Sequence, residues 1–492
     1  MINYQDILKK YNIDYLLVNS TNKYLTEYSD LSENARYTLT GFSGSTGDAL
    51  VTKNNIYLFV DGRYHIQADN EVYPGITVVK LELGQKQDEE IKKIIDKNKV
   101  LGIVAAKVSQ KRLEGFGEYK VKLLEIDPIN NYTLKHSSSY QKAFTPKEGI
   151  FKPTFVTNLE EVSYLTGLRD FSKECSSKIW AKLYVDKNER ILFNEDSACE
   201  EFLKSFSGEL IVDKSSINAR DYALIKTPVE KISQIKSMKS VKSEVELEAY
   251  KKAFKRTDKA VNSIRNYIES TENISEYEIS KKLREEFIKN GAKSLSFNSI
   301  VAINKNSALA HYSKNSKEVY LKEGDLVLID CGAYYESGLA TDITRVFVKG
   351  KPNSLQKRVY TTVLKAFLNC FNSDFKTGYE YDSYAHSILD NSIEGFKFNH
   401  GLGHGIGINV HEAPPNLSQN EIAKTEILDN MCFTIEPGLY NPDFFGIRLE
   451  NSCFKKDGKI HSFVKMGFEG KLIEYNILSK QEQDWLKNFE IL

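Results

Sequence analysis

The chain has 492 residues, and Lys+Arg and Asp+Glu balance at 67 each, so the formal net charge is zero. That balance takes weight from nucleic-acid binding, which shows as a basic excess; a 41% hydrophobic fraction with 28 Tyr and 26 Phe supplies large cores and argues against global disorder. No apolar run approaches the roughly 18 residues of a membrane helix. At roughly 150 residues per domain, about three domains are expected. The first residues, MINYQDILKKYNIDYLLV, scatter charge through every candidate apolar stretch, which is not a signal-peptide pattern. Cys175, Cys199, Cys331, Cys370, Cys432 and Cys453 form no CxxC pair, so unpaired thiols in a reducing, cytoplasmic setting are expected.

In chain order, residues 1–140 contain the apolar runs DYLLVN (14–19), IYLFVD (56–61) and VLGIVA (100–105), with a helical pattern at 89–97 between them. Short β runs alternating with helices predict an N-terminal α/β domain. Residues 148–235 read as a short middle α/β domain whose likeness to the first region is too weak to mark a repeat. A strand at Phe155-Val156-Thr157 leads into a helix start at 158–162, and 179–185 with 190–195 form a hairpin around Asp186-Lys187-Asn188.

Residues 240–492 open with two capping-box sequences, Ser243-Glu244-Val245-Glu246 and Ser275-Glu276-Tyr277-Glu278. The first starts a helix with Tyr250, Phe254, Val261, Ile264 and Ile268 on one face; Gly291 closes the second. Strands are predicted at 297–302, 326–332 and 342–348, helices at 354–371 and 380–394, and strands and loops over 398–456. Helices followed by antiparallel strands give an α+β domain.

Histidine is scarce, eight in all, yet His400, His404 and His411 fall in HGLGHGIGINVH, where the chain average gives roughly 0.2. Gly401, Gly403, Gly405 and Gly407 let the backbone pass close to whatever these histidines hold. A dinucleotide loop fits poorly, because the following INVHEAPP reads as strand and loop rather than helix. Asp330 ends the run LVLI, and Asp342 begins the next strand after a turn containing Gly338, so the two can face each other across an antiparallel ladder. Glu436 lies in CFTIEPGLY and Glu450 in FGIRLEN. One such carboxylate is most often an ordinary ion-pair partner. Four in one domain, beside the His/Gly stretch, point to metal, because buried charges need pairing or coordination.

Four carboxylates and one imidazole (Asp330, Asp342, His404, Glu436, Glu450) suit hard or borderline divalent ions better than a thiolate zinc site. That much negative charge fits two ions and the chemistry of metal-assisted hydrolysis. Cys331 and Cys432 sit in apolar runs and read as small buried hydrophobes, and no G-x-S-x-G element supports a serine hydrolase.

The ordered set Asp330, Asp342-Ile343-Thr344-Arg345, His400-Gly-Leu-Gly-His404-Gly, His411-Glu412, Glu436-Pro437-Gly438 and Gly446-Ile447-Arg448-Leu449-Glu450-Asn451 resembles the pita-bread metallopeptidases. Among them it is most similar to the aminopeptidase P (Xaa-Pro aminopeptidase) family of the three-domain type. Leu39–Gly47, Val60–Ala68, Thr157–Leu165, Leu472–Tyr475 and Gln483–Leu486 extend the resemblance over nearly the whole chain.

The resemblance implies two α/β domains ahead of a pita-bread catalytic domain, and release of the N-terminal residue from peptides with proline second. It implies two divalent ions, Mn²⁺ first, with Zn²⁺, Co²⁺ or Fe²⁺ as alternatives. Asp330, Asp342, His404, Glu436 and Glu450 would be ligands, with Asp342 and Glu450 bridging and Glu436 also the general base. His411 would stabilise the tetrahedral intermediate, His311 would contact substrate, and His400 would line the proline side. Arg448 would support the substrate site from behind the ligands, and the assembly would be a homodimer. His65, His136, His386 and His461 are read as surface or structural.

Two departures stand out. Asp330 and Asp342 are 12 apart, one more than the family's usual spacing, which the turn at 334–340 is expected to absorb. The middle domain, at roughly 90 residues, is short for the family. Three rival readings have distinct requirements. A prolidase would act on Xaa-Pro dipeptides, a non-catalytic pita-bread binding module would have lost ligands, and a creatinase-type hydrolase would work without metal.

Overall fold

The apolar runs of the N-terminal region become strands Tyr15–Val18 (β1), Ala49–Val51 (β2), Ile56–Val60 (β3), Ile76–Lys80 (β4), Val100–Val104 (β5) and Lys120–Leu124 (β6). They make one mixed sheet in the order β4-β3-β2-β1-β5-β6, with β1 antiparallel to β2 and parallel to β5. The structure is a computed structural model that describes every residue except 1–3, 28, 83, 135–138 and 313. The helical pattern read at 89–97 is a helix over Gln87–Ile94, with Ile91 fully buried.

A second sheet follows, formed by Thr154–Val156 (β7), Lys182–Val185 (β8), Arg190–Phe193 (β9), Leu210–Val212 (β10) and Pro228–Glu230 (β11) in the order β9-β8-β7-β10-β11. Its order and strand directions repeat those of the first sheet without an equivalent of the edge strand β4. The hairpin turn at 186–189 is set by Asp186, whose Oδ1 accepts from the backbone N–H of Asn188 (2.7 Å) and Glu189 (2.9 Å). Residues 1–139, 146–166 and 179–233 form one compact unit, and residues 140–145, 167–178 and 234–492 a second.

In the second unit both capping boxes are made. Ser243 and Glu246 start helix α1 (Glu244–Ser270), and Ser275 and Glu278 start α2 (Glu276–Lys289). Tyr250, Phe254, Val261, Ile264 and Ile268 are buried along α1. Helix α3 covers Ser354–Phe371. The next helix, read at 380–394, runs over Gly378–Leu389 (α4). It starts earlier because Thr377 and Glu380 form a capping box, and it stops earlier because Asp390 leaves the helical region and Asn391 turns to φ 58°.

The central sheet contains Ile300–Ile303 (β12), Leu326–Cys331 (β13), Ile343–Val348 (β14), Cys432–Ile435, Glu450–Lys456 and Lys459–Ser462. Between its strands run Gly403–His404 (β15) and the hairpin Gly438–Tyr440 with Gly446–Arg448. In chain order these become β16 (Cys432–Ile435), β17 (Gly438–Tyr440), β18 (Gly446–Arg448), β19 (Glu450–Lys456) and β20 (Lys459–Ser462). The sheet order is β12-β13-β14-β19-β16, with β20 on β19 and every pairing antiparallel. Leu328, Val346, Phe433 and Ile435 pack with Val363, Leu364, Phe367 and Leu389 of α3 and α4 into an apolar core of this unit. Burying these aliphatic and aromatic side chains at roughly 25 cal/mol per Å² gives the sheet a rigid backing for the polar groups it carries. The stretch 408–411, read as a strand, is instead a loop. Among the described residues no helix is long and apolar enough to cross a membrane.

Candidate metal centre

Strand register builds the site. Asp330 on β13 is paired with Thr344 on β14, and Thr344 with Glu450 on β19, so the three side chains form one cross-strand row. Asp342 does not stand opposite Asp330 as expected. It lies two residues before Thr344, on the same face by the period of two, and therefore diagonal to Asp330. The turn between them holds Gly338 at φ 64° and closes with a Tyr334–Ala340 bridge, which accommodates the longer spacing while keeping both carboxylates on that face. Thr344 Oγ1 donates to Glu450 Oε2 (2.7 Å).

His404 and Glu436 arrive from the other side. Gly403 makes the approach of β15 possible, since a Cβ there would collide with the Thr434 carbonyl oxygen. The His404 backbone N–H donates to Thr434 Oγ1 (3.1 Å), and Glu436 N–H donates to the Leu402 carbonyl (2.8 Å). His404 Nδ1 is 3.1 Å from the Gly405 carbonyl oxygen, which can only accept, so Nδ1 carries the proton. That leaves the Nε2 lone pair facing Asp342 Oδ2 (3.6 Å) and Glu436 Oε1 (3.4 Å). Ligation of a metal through Nε2 needs this tautomer. Asp342, His404 and Glu450 each offer a ligand atom, all within 4.8 Å of one another.

Arg448 is buried and spends its guanidinium on protein groups. Nη2 donates to Asp330 Oδ2 (2.6 Å), Nη1 to Tyr440 OH (2.8 Å) and Nε to Thr344 Oγ1 (3.3 Å). Tyr440 OH also meets His400 Nε2 (2.7 Å), and His400 Nδ1 donates to the Gly401 carbonyl (2.7 Å). Both ring nitrogens of His400 are thus engaged.

The negative charge at this site exceeds its local compensation. Burial, then the charges of Glu450 and Asp330, pushes Asp342 far above the ordinary carboxylate range. Burial, then Glu436 and Asp330, does the same to Glu450. Glu436 is pushed up to about 7 by burial and by Asp330, against the pull of Arg448 and His411. Asp330 Oδ1, Asp342 Oδ1 and Glu450 Oε1 are buried with no hydrogen-bond partner. Buried carboxylate oxygens without partners, beside an imidazole lone pair, fit divalent cations, which would supply the missing partners.

Around this centre, the His411 ring packs edge-on against His404, with centroids 4.4 Å apart at 83°. His311 is half-buried just beyond a turn that Ser307 ties to Gly446 of β18, the strand carrying Arg448. Burial pushes the Cys331 thiol far up and the Cys432 thiol to about 12, and both cysteines are buried, as small hydrophobes would be. His65 meets the Leu81 carbonyl, His386 pairs with Asp390 and Asp382, and His461 stacks on Phe454. His136 lies outside the described residues.

Tyr440 and Asp382 were not singled out in the sequence, and Thr344 and Glu412 entered only as motif positions without a role. Asp382 on α4 accepts from the Leu402 N–H (2.7 Å), fixing the loop between His400 and His404. Thr344 alone had a readable signal, since it stands two residues after Asp342 on a strand and so shares its face.

Residues 248–455 match the metallopeptidase family M24, and residues 3–130 match the creatinase/prolidase N-terminal domain. The Xaa-Pro aminopeptidase 1 of Dictyostelium discoideum is 26% identical over 573 residues, covering 98% of this chain and 90% of that protein. The Xaa-Pro dipeptidase of Pyrococcus horikoshii is 39% identical over 220 residues, covering 44% of this chain and 60% of that one. An X-prolyl aminopeptidase structure from Caenorhabditis elegans, described as a cytosolic enzyme with a di-nuclear active site, superimposes with a TM-score of 0.85 at 20% identity. The match covers 97% of this chain and 90% of that one, so the fold, N-terminal α/β layers followed by a pita-bread domain, is shared.

Proposed function

With a metallopeptidase family M24 domain over residues 248–455 and a creatinase/prolidase N-terminal domain over 3–130 as premise, we propose that this chain is an Xaa-Pro aminopeptidase that uses two divalent ions. It releases the first residue of peptides that carry proline second. The observation that carries the reading is the converging set of carboxylate oxygens without partners around the His404 lone pair. Asp330, Asp342, His404, Glu436 and Glu450 would hold the ions, and four carboxylates are too much charge for one. Such ions supply water activation at neutral pH and stabilisation of a developing oxyanion.

The protein's own groups divide the remaining work. Glu436 takes the proton of the attacking water on a carboxylate oxygen. His411, on the edge of His404, donates to the tetrahedral oxygen. Arg448 donates to Asp330 and fixes its orientation. His400, with both nitrogens engaged, shapes the proline side rather than hydrogen-bonding the peptide, and His311 flanks it.

A prolidase is the second reading. The Pyrococcus horikoshii dipeptidase aligns with 44% of this chain, whereas the Dictyostelium discoideum aminopeptidase aligns with 98% of it. A dipeptidase also needs a cation for the substrate carboxylate, and Arg448 is committed to Asp330. The same proposal includes a division into domains at 1–140, 148–235 and 240–492, supported by the two separate sheets of the first unit. It includes Mn²⁺ as the working metal, supported by the oxygen-rich donor set, and a cytoplasmic address, supported by six free cysteines. The homodimer rests on the family resemblance. The test is hydrolysis of Arg-Pro-Pro that chelation abolishes and Mn²⁺ restores; full activity after exhaustive chelation contradicts the reading.

A further inference from the structure

His411 is carried by the loop 405–412, which closes on itself where Glu412 N–H donates to the Gly405 carbonyl (2.8 Å). The Glu412 side chain lies inside that loop. Its Oε2 accepts from the Ile408 N–H (2.9 Å), and a Cβ on Gly407 would land on the carboxylate. Two lysines from the segment before α1 clamp it: Lys242 Nζ at 2.9 Å from Oε1 and Lys239 Nζ at 3.3 Å from Oε2. All three side chains are buried, with relative exposures of 2% for Glu412, 3% for Lys239 and 4% for Lys242. Their segment is fixed in turn, since Lys242 N–H donates to the Asn430 carbonyl (2.9 Å) and Val241 bridges Met431 just before β16.

A buried ionic triad is a poor way to gain stability, because well-packed apolar groups of the same volume do as well or better. What it does supply is a fixed position for the atoms it bonds. Here those atoms are the backbone on both sides of His411, whose own carbonyl accepts from Asn409 Nδ2 (3.1 Å) while Lys178 Nζ donates to Asn409 Oδ1 (3.0 Å). We propose that Glu412, held between Lys239 and Lys242, is a positioning residue that sets the place of His411 over the reacting centre. The proposal rests on the reading of His411 as the group that stabilises the tetrahedral oxygen.

The experiment uses the full chain loaded with Mn²⁺ and Arg-Pro-Pro as substrate, with bound metal and circular dichroism as controls. Glu412→Gln removes the charge. Glu412→Asp keeps the charge balance, and so the fold, but withdraws the carboxylate from the Ile408 N–H by one methylene. Both are compared with His411→Ala and with the double variant His411→Ala/Glu412→Asp. The expected result is a fall in kcat of about 10- to 100-fold in each folded Glu412 variant, the scale of a misplacement near 1 Å. KM should stay within about threefold and metal content should match wild type, while the double variant is no slower than His411→Ala. If Glu412→Gln fails to fold, Glu412→Asp carries the test. A fully active Glu412→Asp beside an impaired His411→Ala overturns this proposal alone, as does a double variant that loses the product of the two single effects. A fully active His411→Ala overturns the reading of His411, and this proposal with it.

Discussion

Thr344 touches two of the candidate ligands at once through strand pairing, because it faces Asp330 on one side and Glu450 on the other. Its hydroxyl donates to Glu450 and accepts from Arg448, so it orients one carboxylate and helps fix the cation that holds another. Thr344→Val keeps the shape and removes both bonds. Metal affinity should fall by about 10- to 100-fold, the usual effect of losing such a support, measured by competition with a chelator. Unchanged affinity would show that Glu450 needs no help. Glu436→Gln keeps side-chain shape but removes the base. In metal-loaded protein its kcat should drop by at least about 10²-fold, and an unchanged kcat would mean that another group takes the proton. Asp330, Asp342, Glu436 and Glu450 stood out because carboxylates in or beside apolar strand runs are anomalous, and His404 because histidine is scarce yet clustered at 400–411. Tyr440 left no such signal, because hydroxyl groups are common in strands, and Thr344 showed only its place on the face of Asp342, its partner Glu450 lying 106 positions away.

Short elements position the site more than long ones. β15 has two residues, and it reaches the sheet only because Gly403 lets its backbone lie against the Thr434 carbonyl. Gly403→Ala should push His404 out of line, so that metal binding is lost while the circular dichroism spectrum is retained; wild-type metal content would contradict this. The Glu412 clamp makes a separate prediction about pH. Burial alone would raise this carboxyl, but Lys239 and Lys242 outweigh it and hold the pKa at about 2, below the ordinary 4.5. A depressed folded pKa gives stability that is complete above the unfolded value and is lost as pH falls towards the folded one. The difference in urea midpoint between wild type and Glu412→Gln should therefore be largest at neutral pH and narrow below about pH 4.5. A difference independent of pH would show that the clamp contributes no charge-dependent stability. The capping boxes of α1 and α2 were readable because their signal is local, four residues long. The loop 408–411 was misread as a strand because its alternation mimics one, while a distant lysine pair decides its path.

Across the whole molecule, two sheets of the same strand order precede the catalytic sheet. Their likeness was too weak in the sequence to mark a repeat, and the pairing pattern makes it plain, with one edge strand absent from the second sheet. The order of strands within each sheet was not readable, because pairing joins residues far apart in the chain and leaves no local pattern. Loaded protein should contain two divalent ions per chain by metal analysis, and a single ion at full activity would contradict the charge argument.

Proline in second position makes the scissile bond a tertiary amide without an N–H, which a site selecting the pyrrolidine by shape accepts and an ordinary aminopeptidase does not. The most direct test of the account is product analysis by mass spectrometry on Arg-Pro-Pro, Arg-Ala-Pro and the dipeptide Arg-Pro. The account predicts release of free arginine from Arg-Pro-Pro, with kcat/KM cut sharply when alanine replaces the second residue. Hydrolysis confined to Arg-Pro would make the protein a prolidase, and equal rates on the two tripeptides would remove proline specificity altogether.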